Sequence, residues 1–418
     1  MVAILDERAR ADTDGQVDVD GSERLRTLVA TRTPGYSLPQ DFYTSPDVFA
    51  WDMERVFRIY WLFAGHVSQI PRPGDYFLYH IGAESIIVMR GEGGRIHAHH
   101  NVCRHRGSHL LLEESGHAGK IVCPYHAWAY NRDGSLAACL HMPDDFDMSC
   151  YGLQPVRVGV AEGLIYLSMA ETPPDFAPFA DDLAHFLGDF ALADAKIAHH
   201  ARYEVACNWK LLGENFCECY HCGPAHPEYC DKVMYAAATA HPKSISAPAA
   251  QAVEDEARAH FARIGLNAGH RAGAWYYCGR QAMRPGYVSM SRDGQPVAPL
   301  LGQLRHPDAG NFSFFAHPTS ICEASGDQAV LIQFTPFGPK RTRADVYWLV
   351  RGDAEEGRDY GVDELIWFWK TTAEQDWTIC ENNQAGVDSV AYRPGPYSLV
   401  EGGVETYIRW YLNALTMS

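Results

Sequence analysis

Long apolar runs are missing from this sequence. No stretch approaches the roughly 18 residues that a membrane-crossing helix needs, so a helical membrane protein is excluded. The opening segment MVAILDERARADTDGQ turns charged after five positions and lacks the apolar stretch of a secretory leader, so a cytoplasmic protein is expected. Positive charge is scarce too. Lys and Arg number 35 against 52 Asp and Glu, a formal net charge of −17. Such a chain is repelled by phosphate backbones and anionic lipid, so neither a nucleic-acid nor a membrane partner is expected. Internal repeats and low-complexity tracts are also lacking. In a reducing compartment the 12 cysteines are expected to be thiols or metal ligands rather than a disulfide framework.

What is present reads as an ordinary globular chain, 47% apolar and 12% aromatic. At 418 residues it has length for two or three domains. Residues 1–45 form a polar N-terminal extension, expected to be loose at first and docked toward its end. Residues 74–100 carry aromatic and β-branched residues around a Gly93–Gly94 turn. Asp133–Gly134 marks a hairpin, and 163–169 is another strand. An all-β unit over 46–170 follows. A Pro-rich linker at 171–179 leads to a second unit, 171–418. There 180–192, 208–221 and 362–384 read as helices, and 311–322, 328–338 and 343–350 as strands. The expected fold class is α+β: an all-β domain, then a domain whose antiparallel sheet is packed by helices.

Two separate segments of the first unit each offer one Cys and one His. Cys103-x-His105 is followed, 17 residues on, by Cys123-x-x-His126. Two Cys and two His also suit tetrahedral zinc, but zinc fingers usually keep like with like in each short pair. Mixed pairs suit a Rieske-type [2Fe–2S] cluster, with two thiolates on one iron and two imidazoles on the other.

The second unit holds ENFCECYHCGPAHPEY, in which His221 and His226 lie five apart. An unbroken helix would splay them, but Gly223–Pro224 breaks it and lets both rings reach one point. Two imidazoles and a carboxylate make the facial triad of non-haem Fe(II) oxygenases. On the helix 362–384, Ile366, Trp369, Ala373, Asp376 and Cys380 share a face that is apolar except for Asp376. A carboxylate there needs compensation: a polar partner such as Arg or Tyr, or a metal. Asp376 is the expected third ligand, and Glu374, off that face, a weaker candidate. A zinc site at Cys217, Cys219 and Cys222 is the alternative to packed small residues.

These motifs resemble the α subunits of Rieske non-haem iron oxygenases. The resemblance runs from the first Cys/His loop through DWTICE at 376–381 to ENNQAGVDSVAYRPGPYS. It implies a [2Fe–2S] cluster on Cys103, His105, Cys123 and His126, and a mononuclear Fe(II) on His221, His226 and Asp376. It further implies O₂ as co-substrate, and electrons from NAD(P)H through a separate flavin- or ferredoxin-type reductase. The family arrangement is a head-to-tail homotrimer. In it Glu218, where many members have Asp, would link the iron histidine of one subunit to a cluster histidine of the next.

Within the family, NWKLLGENFCECYHCGPAHPEYC is similar to the group acting on methylammonium compounds: glycine betaine monooxygenase, choline monooxygenase and stachydrine demethylase. That implies O₂-dependent hydroxylation, in the demethylases at an N-methyl group with release of formaldehyde, the reaction expected here. Trp275, Tyr276, Tyr277, Phe312, Phe314 and Phe315 are candidates for an aromatic cage around such a cation. The alternative reading is an aromatic-ring-hydroxylating α subunit, with or without a small β subunit. A Rieske electron-transfer protein is a third reading, which the second metal motif opposes.

Overall fold

Strand alternation and tight turns build the first part of the chain. The computed structural model describes residues 19–233 and 247–416; the opening residues 1–18, included in the expected loose extension, lie outside it. A seven-stranded antiparallel sheet runs in the order Leu62–His66, Leu164–Ser168, Pro155–Ala161, Ile96–His100, Glu84–Arg90, Asp75–Ile81, Ser115–His117. The Glu92–Gly94 turn has Gly93 and Gly94 at φ 68° and 83°, a region that favours glycine. Beside this sheet, Ile121–Val122, Ala129–Tyr130 and Leu136–Ala138 form a small three-stranded sheet. The Asp133–Gly134 turn joins its last two strands, with Gly134 at φ 85°.

The second part is built on another seven-stranded antiparallel sheet. Its order is Ala195–Val205, Arg341–Arg351, Ala329–Gly338, Ser320–Ala324, Asn311–Ala316, Tyr276–Gln281, Gly269–Ala272. The first eight residues of Ala329–Gly338 are buried without alternation, as expected of a central strand covered on both faces. The long helix Val362–Val387 and the short helix Trp209–Asn215 pack together over it.

Two expectations are corrected. The run 311–322 is a hairpin of two strands, not one; it turns at His317–Thr319, where the His317–Pro318 peptide is cis. The helix expected over 208–221 stops at Asn215. Beyond it, the Glu218 carboxylate accepts hydrogen bonds from the backbone N–H groups of Tyr220 and His221, which replaces helical bonding with a local turn.

Three distant segments meet in one buried polar knot. Lys210 and Asp52 are both fully buried and paired. The Asp52 carboxylate also accepts from Trp209 Nε1 at 2.9 Å and Tyr411 Oη at 2.7 Å. A buried charge pair is tolerable because the remaining lone pairs are filled. The segment ahead of the first sheet is likewise fastened to the C-terminal part. Ser37 N donates to Gly395 O at 2.9 Å, Tyr397 N to Gly35 O at 2.8 Å, and Arg32 pairs with Glu405.

Candidate functional site

The two Cys/His loops are built to one plan. Cys103 N donates to Ser108 O at 2.8 Å and Gly107 N donates back to Cys103 O at 3.0 Å. In the second loop Cys123 N donates to Trp128 O at 2.8 Å and Ala127 N to Cys123 O at 3.1 Å. Each turn places its fourth residue after the cysteine at positive φ, 77° for Gly107 and 58° for Ala127. Both cysteines are buried, whereas His105 and His126 are exposed. The two imidazoles sit with centroids 4.7 Å apart, and His105 stacks on Trp128 at 4.9 Å. Tyr130 Oη lies 3.3 Å from Cys103 Sγ and accepts from Arg104 N at 3.0 Å.

Two buried thiols with two exposed imidazoles beside them fit a two-iron cluster that takes sulfur on one iron and nitrogen on the other.

His221, His226 and Asp376 do converge: their ligand atoms all lie within 4.8 Å of one another. Asp376 Oδ1 is 2.9 Å from His226 Nε2 and 3.4 Å from His221 Nε2. The break that makes this possible is the four-residue helix Cys222–Ala225, flanked by the two histidines. Asp376 comes from the buried face of Val362–Val387, and its compensation is the histidine pair rather than an Arg or Tyr. Glu374 points elsewhere, toward Tyr203 Oη at 3.3 Å and Lys370 Nζ.

Each histidine is oriented through its other nitrogen. His226 Nδ1 donates to Gln375 Oε1 at 2.7 Å, and Gln375 Nε2 donates to Glu228 at 3.3 Å. His221 Nδ1 donates to Glu218 Oε1. Such bonds select the tautomer whose Nε2 lone pair is free for a metal. Burial opposes charge on Asp376, but hydrogen bonds from His221 and His226 outweigh it and hold the carboxyl below its usual range. Burial also opposes charge on His221, and the bonds to Asp376 and Glu218 overcome it, raising the ring to about 9. Two imidazoles and a carboxylate aimed at one point are the donor set that suits Fe(II) with open positions.

The pocket over this point, with a cavity volume of about 70 Å³, is walled by Phe216, Tyr229 and Trp369 as well as the three donors. The aromatic candidates named from sequence do not wall it. Strand alternation turns Tyr276, Phe312 and Phe314 toward the helix Ala177–Leu187, where Phe179 lies 5.0 Å from Tyr276 and 5.5 Å from Phe314. Trp275 joins the same cluster, 4.9 Å from Phe179. Phe315, on the opposite face, stacks on Tyr407 and His317. Tyr277 comes nearest, its hydroxyl 3.5 Å from the Phe216 carbonyl oxygen. The residues that do form the wall were not picked out as a cage. Only the Asp376 helix spacing, which also placed Trp369 on the ligand face, pointed at one of them.

The cysteines depart from expectation as well. Cys219 and Cys222 form a disulfide that spans His221, while ten others are free. The pairing removes the zinc alternative there. The Cys219-x-x-Cys222 spacing is the signal in the sequence for this pairing.

Comparison with known proteins now decides the family. Residues 60–151 match the Rieske [2Fe-2S] domain and residues 192–417 the ring hydroxylating alpha subunit (catalytic domain). The chain is 40% identical over 392 residues to the glycine betaine monooxygenase oxygenase subunit of Chromohalobacter salexigens, covering 93% of this chain and 88% of the relative. The chain belongs to the Rieske non-haem iron oxygenases. As an α subunit of that family it pairs a [2Fe–2S] domain with a catalytic domain for mononuclear iron, and relies on a separate reductase for electrons.

The Rieske oxygenases it resembles include the carnitine monooxygenase oxygenase subunit of Acinetobacter baumannii, 38% identical over 48% of this chain and 55% of that one. A solved quaternary ammonium Rieske monooxygenase with bound inhibitor superposes with a TM-score of 0.71 at 25% identity, over 93% of this chain and 97% of that one. Among the described residues no helix is long and apolar enough to cross a membrane.

Proposed function

We propose that this oxygenase hydroxylates an N-methyl group of a small quaternary ammonium compound of betaine type. The hydroxylation consumes one O₂, two electrons and two protons and releases one water; the hydroxymethylammonium then collapses to the tertiary amine, formaldehyde and one proton. The observation that carries this reading is the pocket. Its walls are aromatic, its charged side chains are carboxylates and histidines, and no Lys or Arg among the described residues lines it. Quaternary ammonium groups are held by aromatic faces and repelled by cations. Relatives named for glycine betaine and carnitine support the same substrate class.

The roles of the chain's own residues follow. Residues 46–170 would hold the cluster on Cys103, His105, Cys123 and His126, and residues 171–418 the iron on His221, His226 and Asp376. Bound there, the cluster supplies electrons and the iron supplies O₂ activation. Glu218 and Gln375 fix the ring orientation of His221 and His226, and Phe216, Tyr229 and Trp369 exclude water and grip the methyl groups.

We also propose a cytoplasmic homotrimer. Exposed His105 and His126, with Tyr125 at 55% and Val122 at 48% exposure beside them, support a second chain meeting this end of the first unit. In the ring, Glu218 is the residue that would face that neighbour.

The test is a screen of glycine betaine, proline betaine, carnitine and choline with a ferredoxin-type reductase, NAD(P)H and O₂, reading formaldehyde. Turnover of benzoate or polycyclic aromatics, with no formaldehyde from any methylammonium compound, would overturn the assignment in favour of ring hydroxylation.

A further inference from the structure

Once the ligand set is accounted for, one charged group in the pocket has no assignment. Asp376 faces both histidines, and Glu218 is taken up by His221 and two backbone N–H groups. Glu323, on the strand Ser320–Ala324, lines the same pocket. Its Oε2 accepts from Asn311 Nδ2 at 2.7 Å, and Asn311 is fully buried on the neighbouring strand. Among the described residues no Lys or Arg pairs with Glu323, and no hydrogen bond uses its Oε1. Burial, only partly offset by Asn311, pushes its carboxyl up to about 8.

A carboxylate in this position carries a standing cost. It is only partly exposed, no Lys or Arg among the described residues pairs with it, and the nearby aromatic faces are themselves electronegative. A structural glutamate would be expected to have a cation or several donors. Glu323 has a single neutral amide that holds one oxygen and leaves the other open. The missing partner is therefore a ligand, and the wall chemistry fixes its sign as positive.

We infer that Glu323 is the counter-ion for the substrate's ammonium head, pairing with it across the pocket while Phe216, Tyr229 and Trp369 pack its methyl groups. The inference rests on the proposed quaternary ammonium substrate and adds what makes the site choose a charged head over an uncharged one of equal shape. Asn311 is the positioning residue, since it holds the carboxylate at the pocket wall. The tert-butyl isostere of a trimethylammonium group fills the same space but leaves Glu323 unpaired, so the wild-type site should discriminate between them.

The experiment uses the holoenzyme and two probes, glycine betaine and 3,3-dimethylbutanoate, which differ only in nitrogen against carbon at the head. Binding is read by titration calorimetry, without turnover. Wild type should prefer the cation by at least about 10-fold, since burying an unpaired charge is strongly unfavourable. Glu323→Gln should lose most of that preference, keeping only the part that the aromatic wall supplies, with its visible cluster absorption intact and its Tm equal to or above that of wild type. Glu323→Asp should keep the preference at reduced affinity. A Glu323→Gln enzyme that folds and keeps the full preference would overturn the inference while leaving the substrate class intact. A wild-type enzyme that binds no quaternary ammonium compound at all would overturn the substrate class and the inference together.

Discussion

The two donor sets are built on opposite principles. The cluster loops put their thiols inside and their imidazoles outside: Cys103 and Cys123 are buried, and His105 and His126 are exposed. The other set is sunk: the side chains of His226 and Asp376 are 2% and 4% exposed, and His221 18%. The difference matches the two tasks. A group that passes electrons must be approachable by another protein surface. A group that activates O₂ must sit in a dry pocket, where its orienting hydrogen bonds are not lost to water. Rigidity is also obtained differently. The outer site relies on two matching turns of backbone, the inner one on side-chain hydrogen bonds to Glu218 and Gln375.

The sharpest way to break this comparison is to empty one site and read the other. Asp376→Ala should abolish formaldehyde release and remove mononuclear iron while leaving the visible absorption of the cluster unchanged. Cys103→Ser should abolish that absorption and leave iron at the inner site. Loss of both the cluster absorption and the mononuclear iron from either variant would show that the two sites fold as one.

The next effect tests the inner site's reliance on hydrogen bonds. Glu218→Gln is expected to retain iron, because it is not a ligand, yet lose about 10- to 100-fold in turnover, the usual cost of removing a histidine's orienting carboxylate. Glu218→Asp should recover most of it. Equal turnover by the Glu218→Gln variant and the wild-type enzyme would remove Glu218 from the machinery.

A smaller effect is expected at the pocket wall. Trp369→Ala should raise KM for the ammonium substrate by about 3- to 30-fold through lost cation–π contact, with a smaller change in kcat. The mildest substitution addresses the exposed rim. Tyr125→Glu should leave stability within about 0.5 kcal/mol, as surface changes do. It should nonetheless shift the oligomer toward monomer in sedimentation. An unchanged assembly would place the subunit contact elsewhere.

The convergence of His221, His226 and Asp376 was legible in the sequence because metal chemistry restricts residue types and spacing. Mixed Cys/His pairs, two histidines around a Gly-Pro break and one Asp on an apolar helix face leave few readings. The pocket wall was not legible. Phe312 and Phe314 look as cage-like in sequence as Phe216 or Tyr229. Which aromatics meet the iron point is set by cross-strand register and by a helix ending early at Asn215. The strand Ala195–Val205 was missed because its sequence, AKIAHHARYEV, is polar for a strand; pairing along its length with Arg341–Arg351 holds it in the sheet. With a helix over 208–221, Glu218 would meet His221 three residues on along one helical face. It reaches it from a turn that its own carboxylate helps to form, an outcome that spacing alone does not distinguish.

The fastening of residues 32–37 to the C-terminal part bears on the exchange of modules between relatives. The chain enters the catalytic half, leaves it to form the cluster sheet, and returns, so both ends of the cluster sheet are rooted in the same partner. A cut at the Pro-rich linker would not yield two sound halves. It would carry Asp52 away with the cluster piece and leave Lys210 buried with no countercharge in the other. Grafting the cluster sheet between relatives therefore calls for two junctions, one after Asp52 and one before the linker, with the preceding strap left on the catalytic scaffold where it is already bound.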